Sequence, residues 1–220
     1  EHLVLSANQG SGERLDMLCG RFIVSPPHDR LLRSYLPSRL VVRTSGREPA
    51  AASPSTAQQL AALMALMRAE SAIAGLGGHA MLNAFSAALF ALTLRLASES
   101  DEAPAGLLAL ASHPRLAPAL SAMLDHPAHA WTLPKLARLC NMSRATVARQ
   151  FQERMGRSAS DLLADIRASL ASTELRRSSI STEAVAEAVG YQSLAAFTRM
   201  FKERIGMTPA QWRRAARSQS

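Results

Sequence analysis

The sequence predicts a mainly α protein, with an all-α C-terminal half joined by a helical connector to a partial β segment at the N-terminus. Three observations predict it. The stretch "MSRATVARQFQERMG" (142–156) returns as "QSLAAFTRMFKERIG" (192–206) at a constant offset of 50, with apolar residues at helical spacing in both copies. Between residues 57 and 97, apolar residues recur at separations of three and four. Before residue 48 they fall instead into short runs divided by turn-forming clusters.

In the first segment, residues 1–47, the runs are "LVL" (3–5), "LDMLCGRFIV" (15–24) and "RLVVR" (39–43), with "NQGSG" and "SPPHD" as the turn signals. They are expected to be strands. Some 45 residues are too few to close a β-barrel alone, so they are read as the C-terminal part of a larger β domain. The chain opens on Glu1 rather than Met, as a fragment or a trimmed product would. "EPAAASPSTAQ" (48–58) has the composition of a linker, and the connector runs from 48 to 106.

Two helices are expected within that connector. The first places Leu60, Leu63, Met64 and Met67 on one face and ends at "GLGG" (75–78). The second carries Leu82, Phe85, Leu89, Leu92 and Leu96, a heptad-like seam suited to pairing with another helix, and here a homodimer is the expectation. The alternative is that both helices pack only within their own domain. "SESDEAPAG" (98–106) breaks the pattern, and the last domain runs from 107 to 220.

Each copy of the repeat reads as a helix, a tight turn and a second helix. In the first, about 131–156, Thr132 is placed to cap a helix whose Leu133, Leu136, Ala137 and Cys140 line one face. Ser143 then caps a helix that buries Val147, Phe151 and Met155 and stops at Gly156. In the second, about 181–206, Ser181 or Thr182 opens a helix with Val185, Ala186 and Val189 inward. Gly190 breaks it, Ser193 caps the next, and Phe197, Phe201 and Ile205 are expected inside before Gly206. This is the helix-turn-helix pattern, twice. Between the copies, residues 160–179 are expected to form one amphipathic helix with Leu163, Ile166 and Leu170 on a face, about 27 Å of spacer. Two recognition helices on such a spacer suit successive major grooves, about 34 Å apart.

Charge points to the same half. The chain carries a formal net charge of +8, yet residues 1–130 hold 10 Lys+Arg against 10 Asp+Glu. Residues 131–220 hold 15 against 7, so the whole excess lies beside the duplicated motif, where a polyanion would dock. The two cysteines, Cys19 and Cys140, lie far apart with no metal-ligand spacing, which argues against a disulfide framework and fits a reducing, cytoplasmic setting. The longest apolar stretches are interrupted by Arg, Glu, Gly or His, so no membrane span and no signal peptide is expected.

Residues from about 107 to 216 resemble the DNA-binding domain of AraC/XylS-type transcriptional regulators. The resemblance rests on "LARLCNMSRATVARQFQERMG", on "AVAEAVGYQSLAAFTRMFKERIGMTPAQWRR" and on the helix that bridges them. "LCGRF", "HDRLLRSYLP" and "HPRLAPALSAMLDHPAHAWT" are similar to the branch of that family with a cupin-like N-terminal sensor. The resemblance implies double-stranded promoter DNA and RNA polymerase as partners, an activator's role and a homodimer; no cofactor is expected. One departure is Ala159, where the family usually has Pro.

The candidate DNA-binding residues, among which Ala145, Ala148, Leu194 and Ala195 stand where the family commonly faces bases, are Ser143, Arg144, Ala145, Ala148 and Arg149 in the first motif. In the second they are Ser193, Leu194, Ala195, Thr198 and Arg199. Ala145, Ala148, Leu194 and Ala195 can touch a thymine methyl but donate no hydrogen bond. Base reading therefore falls on Arg149 and Arg199, with Arg144 and Thr198 assisting; the alternative for either Arg is a phosphate contact or a surface salt bridge. Ser143, Ser193, Arg154 and Lys202 are read as phosphate contacts or helix caps.

In the first segment Cys19, beside Arg21 in "LCGRF", is a candidate redox sensor. Some regulators in the resembling branch sense reactive chlorine through a sensor-domain cysteine. The alternative is a small buried strand residue, and a small-molecule effector is a further possibility. Cys140, on the inward face of the first motif, is expected to be structural. His2 and His28 are the only histidines in the β segment and form no HxH pair, so no metal is expected. Two rival functions are a cupin-type metalloenzyme with a helical appendage, which leaves the repeat unexplained, and a nonspecific nucleoid-binding protein. No catalytic constellation accompanies the fold, so no enzyme activity is expected.

Overall fold

A computed structural model describes residues 29–43, 55–72, 75–99, 105–177 and 180–218. These form two compact units. One is a helical hairpin together with residues 40–43; the other joins the short helix α1 to everything from residue 105 onward.

The hairpin is α2 (Thr56–Ala72) and α3 (Gly78–Ser98). Leu60, Leu63 and Met67 of α2 are buried, as their spacing predicts, and Ala97 of α3 is buried. Gly77 makes the turn with φ +86°, a conformation that costs glycine little. At the open end the Thr56 hydroxyl donates to Glu99 at 2.8 Å. Leu82, Phe85, Leu89, Leu92 and Leu96 are each only half-buried. By length and composition α3 could cross a membrane, with a mean hydropathy of 1.5, although no span was expected from the sequence.

Of the expected strands, those at 3–5 and 15–24, and with them Cys19, lie outside the described residues. The run at 39–43 is described and forms no strand; Val41 is 69% exposed. A strand is made by its ladder of partners, and none among the described residues pairs with this run. Just before it "DRLLRSY" forms α1 (Asp29–Tyr35), a helix not anticipated. Leu31 and Tyr35, four apart, fall on one face and are buried in the second unit.

In that unit α4 (Leu107–Ala111), α5 (Ala117–Asp125), α6 (Leu133–Leu139) and α7 (Arg144–Met155) form the first helical group. The long α8 (Ala159–Arg177) leads to α9 (Thr182–Ala188), α10 (Leu194–Ile205) and α11 (Pro209–Arg217). Two hydrophobic cores result. Phe151, Val147, Leu136 and Cys140 pack with Leu162, Leu163 and Ile166 in the first. Phe197, Phe201, Val185 and Val189 pack with Ala168, Ala171 and Leu175 in the second. The spacer is therefore no one-faced amphipathic helix. Its first half closes one core and its second half the other, and Leu170 packs against both. Ala159 is buried at its start, where Ser158 caps the helix by accepting the Asp161 N–H at 3.1 Å.

Candidate nucleic-acid interface

The two motifs solve the same problem with different turns. After α6, Asn141 takes φ +49°, a left-handed conformation that asparagine tolerates better than most residues. After α9, Gly190 takes φ +88°. Ser143 and Ser193 then cap α7 and α10 as expected, accepting from Thr146 N–H at 3.1 Å and Ala196 N–H at 3.4 Å. Ser181 caps α9, which decides between Ser181 and Thr182. Thr132 precedes α6 but its side chain makes no cap bond, and Leu133 is exposed rather than inward. Glycines in the left-handed conformation end both second helices, at Gly156 and Gly206.

Burial of one face of each second helix leaves the opposite face open. Ser143, Arg144, Ala145, Ala148 and Arg149 are exposed on α7 and its cap. Ser193, Leu194, Ala195 and Arg199 are exposed on α10 and its cap, and Thr198 is half-buried. Leu194 is a large apolar side chain, 39% exposed, at the first position of its helix. Arg149 holds an ion pair with Glu153 at 3.3 Å, and both partners stay at least half exposed. Such a pair is worth little in water and can be exchanged for a base or a phosphate. Arg154 donates to Gln150 at 3.0 Å, and its carbonyl accepts from Gly106.

Sequence reading missed Arg115. From the α4–α5 connection its guanidinium donates to the carbonyl of Cys140 at 3.3 Å and to that of Asn141, so it braces the first motif's turn. With Arg138, Ser143 and Thr146 it lines a shallow basic groove at the start of α7. Nothing in the spacing of residue 115 to the motif signals this, because the contact crosses 25 residues.

Behind the open face lies a charged cluster. Arg204 of α10 meets Asp161 at 2.5 Å and Asp165 at 3.5 Å, both on α8. Hydrogen bonds from Ser158 and Arg204 hold the Asp161 carboxyl below the usual carboxylate range. Asp165 also meets Arg157 at 3.4 Å and accepts from the Tyr35 hydroxyl of α1. Burial, and then the Asp165 carboxylate, push the Tyr35 phenol above its ordinary value. Arg30 of α1 donates to the carbonyl of Arg204. A helix from the first segment is thus tied to the helix that carries the second open face.

Cys140 is 1% exposed, and burial raises its thiol, so it is a packing residue. Among the described residues no group of three or more His, Cys, Asp or Glu side chains converges.

Comparison with known proteins places both halves. Residues 136–215 match a helix-turn-helix domain family and residues 2–99 a cupin family. The RCS-specific HTH-type transcriptional activator RclR of Escherichia coli is 32% identical over 151 residues, covering 69% of this chain and 53% of that protein. An HTH-type transcriptional regulator of Haemophilus influenzae is 31% identical over 201 residues, 91% of this chain and 63% of its own length. A putative AraC-like transcription regulator of Streptomyces antibioticus is 36% identical over 122 residues, 55% and 40% of the two chains. The chain therefore spans about half the length of the curated relatives it matches.

Proposed function

We propose, for a chain that belongs with the AraC/XylS-type regulators through a cupin segment and an AraC-type helix-turn-helix domain, that it is a sequence-specific DNA-binding transcriptional regulator. The observation that carries this reading is the pair of capped second helices, α7 and α10, each with one face buried and the other open, on a single buried spine. Arg149 and Arg199 read bases, with Arg144 and Thr198 beside them. Ala145, Ala148, Leu194 and Ala195 meet thymine methyls, and Ser143 and Ser193 position the helices on phosphate. Arg115 and Arg138 add phosphate contacts at the first motif. The protein acts in the cytoplasm as an activator that meets RNA polymerase at the promoter. It pairs as a homodimer through the half-buried seam Leu82, Phe85, Leu89, Leu92 and Leu96. The chain holds no role as an enzyme in this reading.

The cupin segment is the sensor, and Cys19 is its candidate oxidant-responsive group, with a small-molecule effector as the alternative input. Fluorescence-anisotropy binding to DNA from upstream of the protein's own gene, against scrambled DNA of equal length, tests the first claim. A regulator prefers its site by about a thousandfold or more, whereas a nonspecific nucleoid protein binds both alike. The same assay on reduced protein and on protein treated with mild hypochlorous acid tests the second. A shift in specific affinity that vanishes in Cys19→Ser supports the thiol sensor; specific binding indifferent to oxidant refutes it.

A further inference from the structure

The residue that joins the two motifs is Arg167, in the middle of α8. Only 9% of it is exposed. It stands where the spine passes from one core to the other, between Ile166 of the first and Ala168 of the second. Its Nε donates to the carbonyl of Pro127 at 2.8 Å and an Nη to that of His129 at 2.9 Å. Both acceptors lie in the segment that enters α6. The same guanidinium lies over the Tyr191 ring, 5.2 Å from its centroid, and Tyr191 belongs to the turn between α9 and α10. One side chain therefore grips the entry to the first motif and the turn of the second. The two backbones also meet directly: a Cβ on Gly190 would sit 2.3 Å from the carbonyl oxygen of Ala128.

A buried cation held by neutral carbonyls is an expensive way to fill space, and an aliphatic side chain of similar volume would often serve stability as well. What a planar guanidinium adds is direction: two donors and a stacking face fixed in one geometry, which lysine cannot reproduce. We propose that Arg167 is a positioning residue that sets the angle between the two motifs, and so the separation of the two half-sites this protein recognises on DNA. The inference rests on the two-headed reading above. Each motif keeps its own hydrophobic core without Arg167, and α8, Leu170 and the Gly190–Ala128 approach still link them. Its loss therefore loosens the angle between them while leaving base recognition within each half-site intact. Adding one base pair between half-sites turns the second by about 34° and moves it about 3.4 Å, which a fixed angle rejects.

The test is selection of binding sites from a random double-stranded DNA library by the full chain and by Arg167→Met, Arg167→Lys and Tyr191→Leu. Tryptophan fluorescence on heating checks that each is folded. Wild type is expected to return a bipartite motif at one separation, and to bind sites one base pair longer or shorter about tenfold more weakly. The variants are expected to return the same two half-sites at several separations and to bind the altered spacings nearly equally. Lysine is expected not to rescue. If Arg167→Met unfolds, the comparison is read on the other two variants. A bipartite wild-type site whose single separation survives in the folded variants overturns this proposal alone. A wild-type selection that returns one short motif or none overturns the two-headed reading, and this proposal with it.

Discussion

Gly190, Gly156 and Gly206 share a left-handed backbone, with φ of +88°, +67° and +90°, but not a neighbourhood. A Cβ on Gly156 or Gly206 meets nothing within 4 Å, whereas on Gly190 it lies 2.3 Å from the Ala128 carbonyl oxygen. Alanine at any of the three costs about 1–2 kcal/mol for the backbone conformation alone. At Gly190 the turn must also retreat from the α6 entry segment by most of an ångström, and overpacking of that kind adds about 1–3 kcal/mol. Gly190→Ala is thus expected to cost about 2–5 kcal/mol in total. The protein's two tryptophans, Trp131 and Trp212, both belong to the second unit, so urea unfolding followed by their fluorescence reports that unit. With a urea slope of about 1.5 kcal/mol per molar, the extra cost lowers the midpoint of Gly190→Ala by roughly 1–2 M below those of Gly156→Ala and Gly206→Ala. Equal midpoints for all three variants would refute the close approach between the second turn and the α6 entry segment.

Other outcomes follow from the same geometry. Arg149→Ala and Arg199→Ala should each weaken specific binding by about 1–3 kcal/mol and relax the preference at one base pair, measured by anisotropy on single-substituted sites. A uniform loss at every site, with a shallower salt dependence, would make that Arg a phosphate contact instead. Asp161 has a folded-state pKa below its ordinary value of 3.8. The stability it contributes is therefore complete above about pH 4 and is lost as pH falls through the lower, folded value. Asp161→Asn should be less stable than wild type at pH 7, with the gap closing at lower pH, as read from urea midpoints at a series of pH values. The native chain should expose no more than one thiol to an aromatic disulfide reagent, because Cys140 is buried; reaction at Cys140 in the folded state would contradict its place in the core.

The duplicated motif was legible in the sequence because its constraints are local. A serine one residue before a helix, a phenylalanine eight residues on, and a glycine at the end specify a capped, one-faced, terminated helix wherever they occur. Ser143, Phe151 and Gly156 did so once, and Ser193, Phe201 and Gly206 did so again. The same periodicity anticipated α2 and α3 as two helices, although α2 ends at Ala72, before "GLGG", and α3 begins within it at Gly78. It misjudged Leu133, where an apolar residue in the first turn faces out, and α8, where a helix wedged between two cores is buried on more than one face. The strand expected at "RLVVR" also failed to form, since β-branched residues make a strand only when another strand lies alongside.

By itself, then, the sequence determined the basic half, the two motifs and the two connector helices. The motifs and helices depend on neighbours within one or two helical turns. Only the tertiary structure decided that α1, from the first segment, is tied by Tyr35 and Arg30 to Asp165 and Arg204. It alone brought Arg115 to the first turn and Arg167 to the junction of the motifs. Those contacts cross from 24 to 174 residues of chain. No spacing rule encodes them, because they arise from how finished helices pack and not from how each one forms.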